Sequence, residues 1–404
     1  MSYISSVYVI FAPLMLLFLI IYFILFNIAI DAWSRSGEKG AAARAESILN
    51  RMNYVSLTHK NNLVAPDKIT YTSVIKAWVN ERAEGFEVRA ATLLSEMEQR
   101  YLDGHEAVKP DVMAYATVID AFAKAHKPKS AEVVLERMRE PFFNEEKGLS
   151  PNITCYNILI NAYAKSNVKG SENKAEEILL RTEEEYKNGN VFVQPNEITY
   201  TTCIHAIARS DDKNKVSKAE IILDKMNHQQ NINCTVDTWN ALLNVYAKSP
   251  LSNKAKEAFN VIHRMEIAGV RPNIVSYNII LSACCLSENL SGESRGDVLE
   301  ISAKILKYVQ QHNNLAADSF TYSCFLRICK KISNIHERKI AVTKCFESCC
   351  KDGQLNYKVI ATLREVCTDA LFWQLLGVDP CYDLVKLKTL PPDWSRNIVK
   401  PKKF

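Results

Sequence analysis

An all-α chain of stacked helical hairpins is predicted by three features of the 404-residue sequence. Gly and Pro are scarce, at 12 and 13 residues, so few turns are forced and long helices are favoured over an all-β chain. An aromatic residue followed by a small polar residue and an aliphatic run recurs eight times, at intervals of 38 to 45 residues. Later in each unit comes an Ala, and in five units a Met follows it seven residues on, two helical turns along the same face.

The elements follow in order. Residues 1–30 carry no charge, and the run from Val7 to Phe26 is apolar. A helix of about 20 such residues can cross a bilayer. No basic region precedes the run, and Pro13 interrupts it. Residues 1–22 are therefore a transmembrane candidate, a buried N-terminal helix, or a mis-assigned start standing in place of a targeting segment.

Residues 23–356 form the repeat array, with units starting near 23, 68, 112, 153, 197, 236, 274 and 319. Their aromatic markers are Phe26, Tyr71, Tyr115, Tyr156, Tyr200, Trp239, Tyr277 and Tyr322. Helix A of each unit runs from just before this marker. Helix B carries the pairs Ala45/Met52, Ala90/Met97, Ala131/Met138, Ala219/Met226 and Ala258/Met265. Ala175, Ala303 and Ala341 are assigned the same place without the Met. The small residue lets helices approach, and the Met fills the gap beyond it. Neither helix can bury its apolar face alone, so the units must stack. Five units close on Pro-Asp or Pro-Asn, at Asp67, Asp111, Asn152, Asn196 and Asn273. Proline stops what precedes it, and the Asp or Asn caps the next helix A. Residues 357–404 supply a C-terminal capping helix and a basic tail containing Lys386, Lys388, Arg396, Lys400, Lys402 and Lys403.

Composition excludes several classes. Apolar residues at 48% and charged residues at 24% describe a packed chain, not a disordered one. A net charge of +5 permits a polyanionic partner, but a concentrated basic strip would matter more. The 12 cysteines form no C-x-x-C pair, so they read as small buried hydrophobes in a reducing compartment and not as metal ligands. The histidines are scattered without ligand spacing. No phosphate-binding loop, nucleophile elbow or deaminase zinc motif occurs. Neither an enzyme activity nor a cofactor is expected.

The start motif is seen whole in Ile153-Thr154-Cys155-Tyr156-Asn157-Ile158-Leu159-Ile160-Asn161-Ala162-Tyr163-Ala164-Lys165. With the later Ala-x6-Met and the closing Pro-Asp/Asn, it resembles the pentatricopeptide repeat family over about residues 23–356. The units here are longer than the family's usual ones, with the surplus in stretches such as SNVKGSENK and YLDGHEAVK. That length puts strict tiling of one unit per base in question. The resemblance implies a right-handed superhelical α-solenoid, TPR-like, of about eight helix-turn-helix repeats. It also implies sequence-selective binding of single-stranded RNA, in organellar RNA processing, stability or translation. A mitochondrial or plastid location follows from the family, although residues 1–30 lack the composition of a transit peptide. A single-pass membrane location is the alternative.

The resemblance further implies site residues. Base-reading pairs are Asn27 with Asp67, Thr72 with Asp111, Ala116 with Asn152, Asn157 with Asn196, Thr201 with Thr235, Asn240 with Asn273, and Asn278 with Asp318. Ser323 reads in the eighth unit, where the partner is not evident. By the family's pairing rule the units give U, G, unassigned, pyrimidine, unassigned but purine-leaning, pyrimidine, U and a weak purine. Three residues before each reader stands a base-wedging column of Ile24, Ile69, Met113, Thr154, Ile198, Val275 and Phe320, interrupted by Asp237. Eight residues after the readers stand Arg35, Lys124, Lys165, Arg209, Lys248 and Lys331, a basic stripe suited to a phosphate backbone. Asn80 and Leu286 break this stripe. The competing readings are small polar residues that merely cap or solvate helix A, and cations that answer helix C-termini. At the level of function the competitor is a TPR-like scaffold for protein partners, with a membrane-anchored adaptor as a variant of it.

Overall fold

The computed structural model describes residues 2–58, 62–139, 149–166, 168–229, 232–287, 295–312, 315–377 and 390–398. Among these, 18 α-helices occur and no strand. They are α1 (Ser2–Ser36), α2 (Ala41–Thr58), α3 (Lys68–Glu81), α4 (Phe86–Leu102), α5 (Val112–Lys124), α6 (Pro128–Met138), α7 (Ile153–Lys165), α8 (Ser171–Lys187) and α9 (Glu197–Arg209). There follow α10 (Lys215–Asn227), α11 (Val236–Ala247), α12 (Lys254–Ile267), α13 (Ile274–Leu286), α14 (Arg295–Gln311), α15 (Ser319–Cys329), α16 (Ile335–Lys351), α17 (Tyr357–Val366) and α18 (Asp369–Leu376).

Odd-numbered helices from α1 to α17 take the A role, and even-numbered helices the B role. The chain forms two compact units, residues 1–206 and 207–403. In the first, α1, α3, α5 and α7 pack in series, each also against the helix B that follows it. In the second, α11, α13, α15 and α17 pack in series in the same way. Each unit is thus a solenoid of hairpins, as the repeat pattern requires.

The marker tyrosines explain the hairpin. Tyr71, Tyr115, Tyr156, Tyr200 and Tyr322 are fully buried, and their hydroxyls reach polar groups near the end of a helix B, that of the same repeat for Tyr71, Tyr156 and Tyr322 and that of the preceding repeat for Tyr115 and Tyr200. Tyr115 Oη donates to Glu98 at 2.6 Å, Tyr156 to Glu185 at 3.1 Å, and Tyr200 to Glu183 at 3.1 Å. Tyr322 reaches Asp352. A large ring fills the gap between helices while its polar tip stays satisfied.

The Ala and Met residues of the five complete pairs, with Ala175, are all buried. Ala303 and Ala341 are a correction. Ala303 is exposed and Ala341 only half-buried, and the covered neighbours are Ser302 and Val342. In α14 and α16 the face toward helix A is turned by one residue. Seven residues beyond the true positions lie Val309 and Cys349, both buried, and Thr182 does the same beyond Ala175. The spacing of seven therefore holds in all eight helices B, with Thr, Val and Cys in the place of Met.

Successive helices B are bridged by ion pairs. Arg89 pairs with Glu46, Arg137 with Glu98, and Arg139 with Glu185. Arg181 meets Glu136 at 2.6 Å, and Arg264 meets Glu220 at 2.7 Å.

The ends of the array differ from its middle. Helix α1 runs without a break through Pro13, so the apolar segment and the first helix A are one helix. Its stretch Leu19–Ser36, with mean hydropathy 1.3, is long and apolar enough to cross a membrane by length and composition. It exposes Ile20, Ile21, Ile24, Leu25 and Ile28, while Ile30 and Ser34 are buried. At the other end α17 packs on α15, and α18 follows it. In the tail, Arg396 donates to the Lys351 carbonyl at 2.9 Å and Trp394 stacks edge-on to Phe346. Lys386, Lys388, Lys400, Lys402 and Lys403 lie outside the described residues.

Candidate nucleic-acid interface

Helix A begins alike in nearly every repeat. The cap residue has extended backbone, and its side chain accepts the N–H of the third helical residue. Asp67 takes Thr70 N–H at 2.8 Å, Asp111 takes Ala114 at 3.0 Å, and Asn152 takes Cys155 at 3.2 Å. Asn196 takes Thr199 at 3.1 Å, Asn273 takes Ser276 at 3.0 Å, and Asp318 takes Thr321 at 2.7 Å. Each such cap contributes about 1 kcal/mol. The cap fixes the register of the first turn, so the second, third and fifth helical residues occupy equivalent places in each repeat.

The second residue is the position assigned above as the wedge. Ile24, Ile69, Met113, Ile198, Val275 and Phe320 are 38% to 64% exposed. Thr154 and Asp237 are exposed as well. Single exposed aliphatics need no explanation, but a column at one repeat position does. Lys358 Nζ stands 5.0 Å from the Phe320 ring centroid, a cation against an aromatic face.

The fifth residue, assigned above as the reader, lies one turn on and on the same face. Ala116, Thr201, Asn240, Asn278 and Ser323 are buried, and Asn27, Thr72 and Asn157 half-buried. Two assigned pairs touch directly. Asn278 Nδ2 donates to both Asp318 oxygens at 3.2 and 3.1 Å, and Asn157 Nδ2 donates to Asn196 Oδ1 at 3.2 Å. Two more meet through the third residue. Thr70 Oγ1 lies 2.8 Å from both Asn27 Oδ1 and Asp67 Oδ1. Ser276 Oγ lies 2.6 Å from Asn240 Oδ1 and 3.2 Å from Asn273 Oδ1.

The remaining assigned positions are arranged differently. The Thr72 hydroxyl turns back to the Lys68 carbonyl at 2.7 Å, while Asp111 faces the Lys68 ammonium at 3.7 Å. Ala116 offers no polar atom to Asn152. Thr235 is the N-cap of α11. Ser323 Oγ donates to the Ser319 carbonyl at 2.8 Å.

The cation column divides in the structure. Lys165, Arg209 and Lys248 are exposed. Arg35 pairs with Asp31 at 3.0 Å and Lys124 with Asp120 at 2.7 Å, each one helical turn back. Such surface pairs are weak and open readily. Lys331 is committed elsewhere: its Nζ donates to the Cys284 carbonyl at 2.7 Å. Asn80, which breaks the column in the sequence, does the same for the Ser34 carbonyl at 2.9 Å. In these two repeats the position ties the end of one helix A to the end of the one before.

In the first unit one groove over α3, α5 and α7 joins the three columns. It is lined by Ile69, Met113 and Thr154, by Thr72, Ala116 and Asp111, and by Asn80 and Lys124. An aliphatic wall, hydrogen-bonding groups and a cation thus face one channel.

Two features escape the sequence pattern. Asn356 caps α17 by accepting the Val359 N–H at 3.0 Å, which makes it the terminal residue of the eighth unit. Leu355 stands where five other units have Pro, so that closing signal is missing here. The third-residue hydroxyls of Thr70, Ser276 and Thr321, each just before the marker tyrosine, were also unmarked. Where that residue is Cys155, burial pushes its thiol up to about 11. Among the described residues no group of three or more His, Cys, Asp or Glu side chains is placed to hold a metal ion.

Comparison with known proteins agrees with this geometry. The model described as "PPR repeat family" matches residues 234–286, and "Pentatricopeptide repeat domain" matches residues 92–166 and 170–249. No curated protein matches the sequence. Among solved structures, the pentatricopeptide repeat protein PPR10 from maize is similar at a TM-score of 0.50 and 20% identity, covering 87% of this chain and 45% of that one. PPR10 in complex with an 18-nt psaJ RNA element is similar at a TM-score of 0.47 and 19% identity, covering 87% of this chain and 47% of that one. The chain therefore spans about half the length of the solved structures it matches. The capped hairpins and buried marker tyrosines agree with these matches, which identify residues 92–166 and 170–286 as pentatricopeptide repeats.

Proposed function

We propose that this chain binds single-stranded RNA along the helix A face, selects its sequence through the reader and cap residues, and serves organellar RNA processing, stability or translation. The observation that carries the reading is the groove over α3, α5 and α7. There exposed Ile69 and Met113 stand beside Thr72 and Asp111, with Lys124 at its edge. Aliphatic side chains exposed at one repeat position suit the faces of unstacked bases. Polar groups one turn away suit their edges, and cations at the helix end suit phosphates. The protein acts in this reading by binding, without a catalytic step. A mitochondrial or plastid location is part of the proposal, and a fluorescent fusion imaged against organelle markers tests it.

A filter-binding assay with mixed-sequence RNA oligomers is the deciding experiment. Retention that falls steeply with salt supports the reading. Absence of retention at low salt would leave the protein-scaffold function in its place.

A further inference from the structure

We propose that the hydroxyl at the third residue of helix A positions the base-reading Asn of the preceding repeat, so that Thr70, Ser276 and Thr321 are specificity-determining residues. The proposal rests on the RNA-binding reading above.

The three sites share one arrangement. The cap's backbone N–H points at the hydroxyl oxygen, at 3.3 Å for Asp67 to Thr70, 3.2 Å for Asn273 to Ser276 and 3.1 Å for Asp318 to Thr321. A backbone amide can only donate, so the hydroxyl accepts on this side and turns its single hydrogen elsewhere. Two oxygens are in its reach: the cap's own Oδ1, at 2.8 Å in Asp67, 3.2 Å in Asn273 and 2.8 Å in Asp318, and the reader amide oxygen, at 2.8 Å in Asn27, 2.6 Å in Asn240 and 2.7 Å in Asn278, the nearer of the two at Ser276 and Thr321. The backbone thus sets the polarity of a short relay that ends on Oδ1. Thr70, Ser276 and Thr321 are all fully buried, so water does not compete for these bonds.

The consequence is a fixed amide. Asn278 gives one N–H to Asp318 and accepts from Thr321. One N–H and one lone pair are left, a donor and an acceptor side by side, which matches the alternating pattern of a base edge. An unanchored amide could exchange its two ends and present the opposite pattern.

The eight repeats offer an internal control. All four Asn readers, Asn27, Asn157, Asn240 and Asn278, are followed in the next repeat by a third-residue hydroxyl: Thr70, Thr199, Ser276 and Thr321. The readers Thr72, Ala116 and Ser323 are followed instead by Ala114, Cys155 and Val359, and only Thr201 is followed by a hydroxyl, Thr238. A hydroxyl that served only to cap its own helix would have no reason to follow the identity of a residue about 40 positions earlier. At Asn157 the relay is turned aside. Thr199 Oγ1 keeps the contact to its cap, Asn196 Oδ1 at 3.0 Å, but makes none to the reader, and among the described residues Asn157 Oδ1 is buried without a partner.

The test is a randomised-RNA selection on the full chain and on Thr321→Val, Thr321→Ser and Ser276→Ala, with a thermal melt of each. Thr321→Val should lower the base preference at the seventh repeat by about threefold to tenfold and leave the other positions as they were. Thr321→Ser keeps the hydroxyl and should keep the preference. Ser276→Ala should act in the same way at the sixth repeat, and it decides the matter if Thr321→Val does not fold. Unchanged preferences in folded variants, or an equal weakening at every position, would overturn the proposal and leave only a capping role. A native chain that selects no sequence would instead overturn the RNA-reading function on which the proposal rests.

Discussion

Lys331 near the end of one helix A donates from Nζ to the Cys284 carbonyl at the end of the helix A before it, at 2.7 Å. This bond separates Lys331 from the exposed members of its column. A charged donor on a helix-end carbonyl stabilises by about 1 to 2 kcal/mol. Lys331→Ala should therefore lower stability by that amount in a urea titration. Lys165→Ala and Lys248→Ala should each stay within about 0.5 kcal/mol of the parent.

The same two variants should differ from Lys331→Ala in salt dependence. If the other five cations of the column meet phosphates, the log–log slope of RNA affinity against salt is roughly −3 to −4, at about 0.7 per phosphate on a single strand. Losing Lys165 or Lys248 should flatten it by about 0.7 each with little change in base preference. Affinities measured between low and physiological salt check this directly.

Glu220 gives the array an acid-sensitive joint. Burial pushes its carboxyl up, but hydrogen bonds from Arg264 and Tyr246 outweigh burial and leave the pKa below its ordinary value of 4.5. Arg264 donates at 2.7 and 2.8 Å and Tyr246 at 2.7 Å. A pKa depressed in the folded state adds stability that is fully present above the unfolded value. That stability is lost as pH falls through the folded one. Urea midpoints taken from pH 6 downward should therefore decline below about pH 4.5 with a contribution from this group. Glu220→Gln should remove that contribution and cost about 1 kcal/mol near pH 7, a modest figure because Arg264 is partly exposed.

The hairpin architecture was legible because two separate signals recur at one period: the buried marker aromatic and the Ala with its partner seven residues on. Both report the same physical demand, close approach of two helices around a filled gap. The signal failed where the demand was met by other residues. Ser302 and Val342 do the work assigned to Ala303 and Ala341, and no composition rule ranks Ser or Val above a neighbouring Ala. The reader and wedge columns were placed by position, and the structure shows the wedge column exposed and the reader column sunk beside it. The third-residue hydroxyls were hidden for a different reason. Thr or Ser there already has an ordinary explanation as a capping-box residue, so its second bond, to a side chain one repeat back, leaves no separate mark.

The N-terminal helix has two parts with different dependence on the rest. Residues 19–22 bury nothing fully, whereas Ile30 and Ser34 are buried, Asn27 accepts from Thr70 and the Ser34 carbonyl accepts from Asn80. A chain lacking residues 1–22 should therefore keep its helical content per residue and the protection of α3 against hydrogen exchange. Ile30→Ala should cost about 2 to 4 kcal/mol in the first repeat, as for other buried large-to-small changes. Loss of α3 protection in the truncated chain would make the apolar segment a packing element of the array.

The reader proposed at the seventh repeat gives the sharpest outcome. Asn278 and Asp318 are the assigned pair with the most direct contact, and the family's pairing rule gives U for Asn with Asp. The Asp318 carboxylate accepts from Nδ2 at 3.2 and 3.1 Å, and the amide oxygen is held at 2.7 Å by Thr321. Asn278→Thr keeps the carboxylate and the Thr321 hydroxyl but replaces the amide with a hydroxyl. The preferred base should then move from U towards G, by the same pairing rule. The discrimination expected is about 1 kcal/mol, at the low end for a base contact because a single polar group is exchanged. The shorter side chain also leaves space above Asp318, and the one new hydroxyl cannot both satisfy Thr321 and meet the base with the former geometry. Overall affinity should fall along with the change in preference. A randomised-RNA selection on both proteins, read at this position, checks the claim. If the preference at the seventh position is the same in the two selections while both chains bind, Asn278 is a structural residue linking α13 to α15 and not a reader.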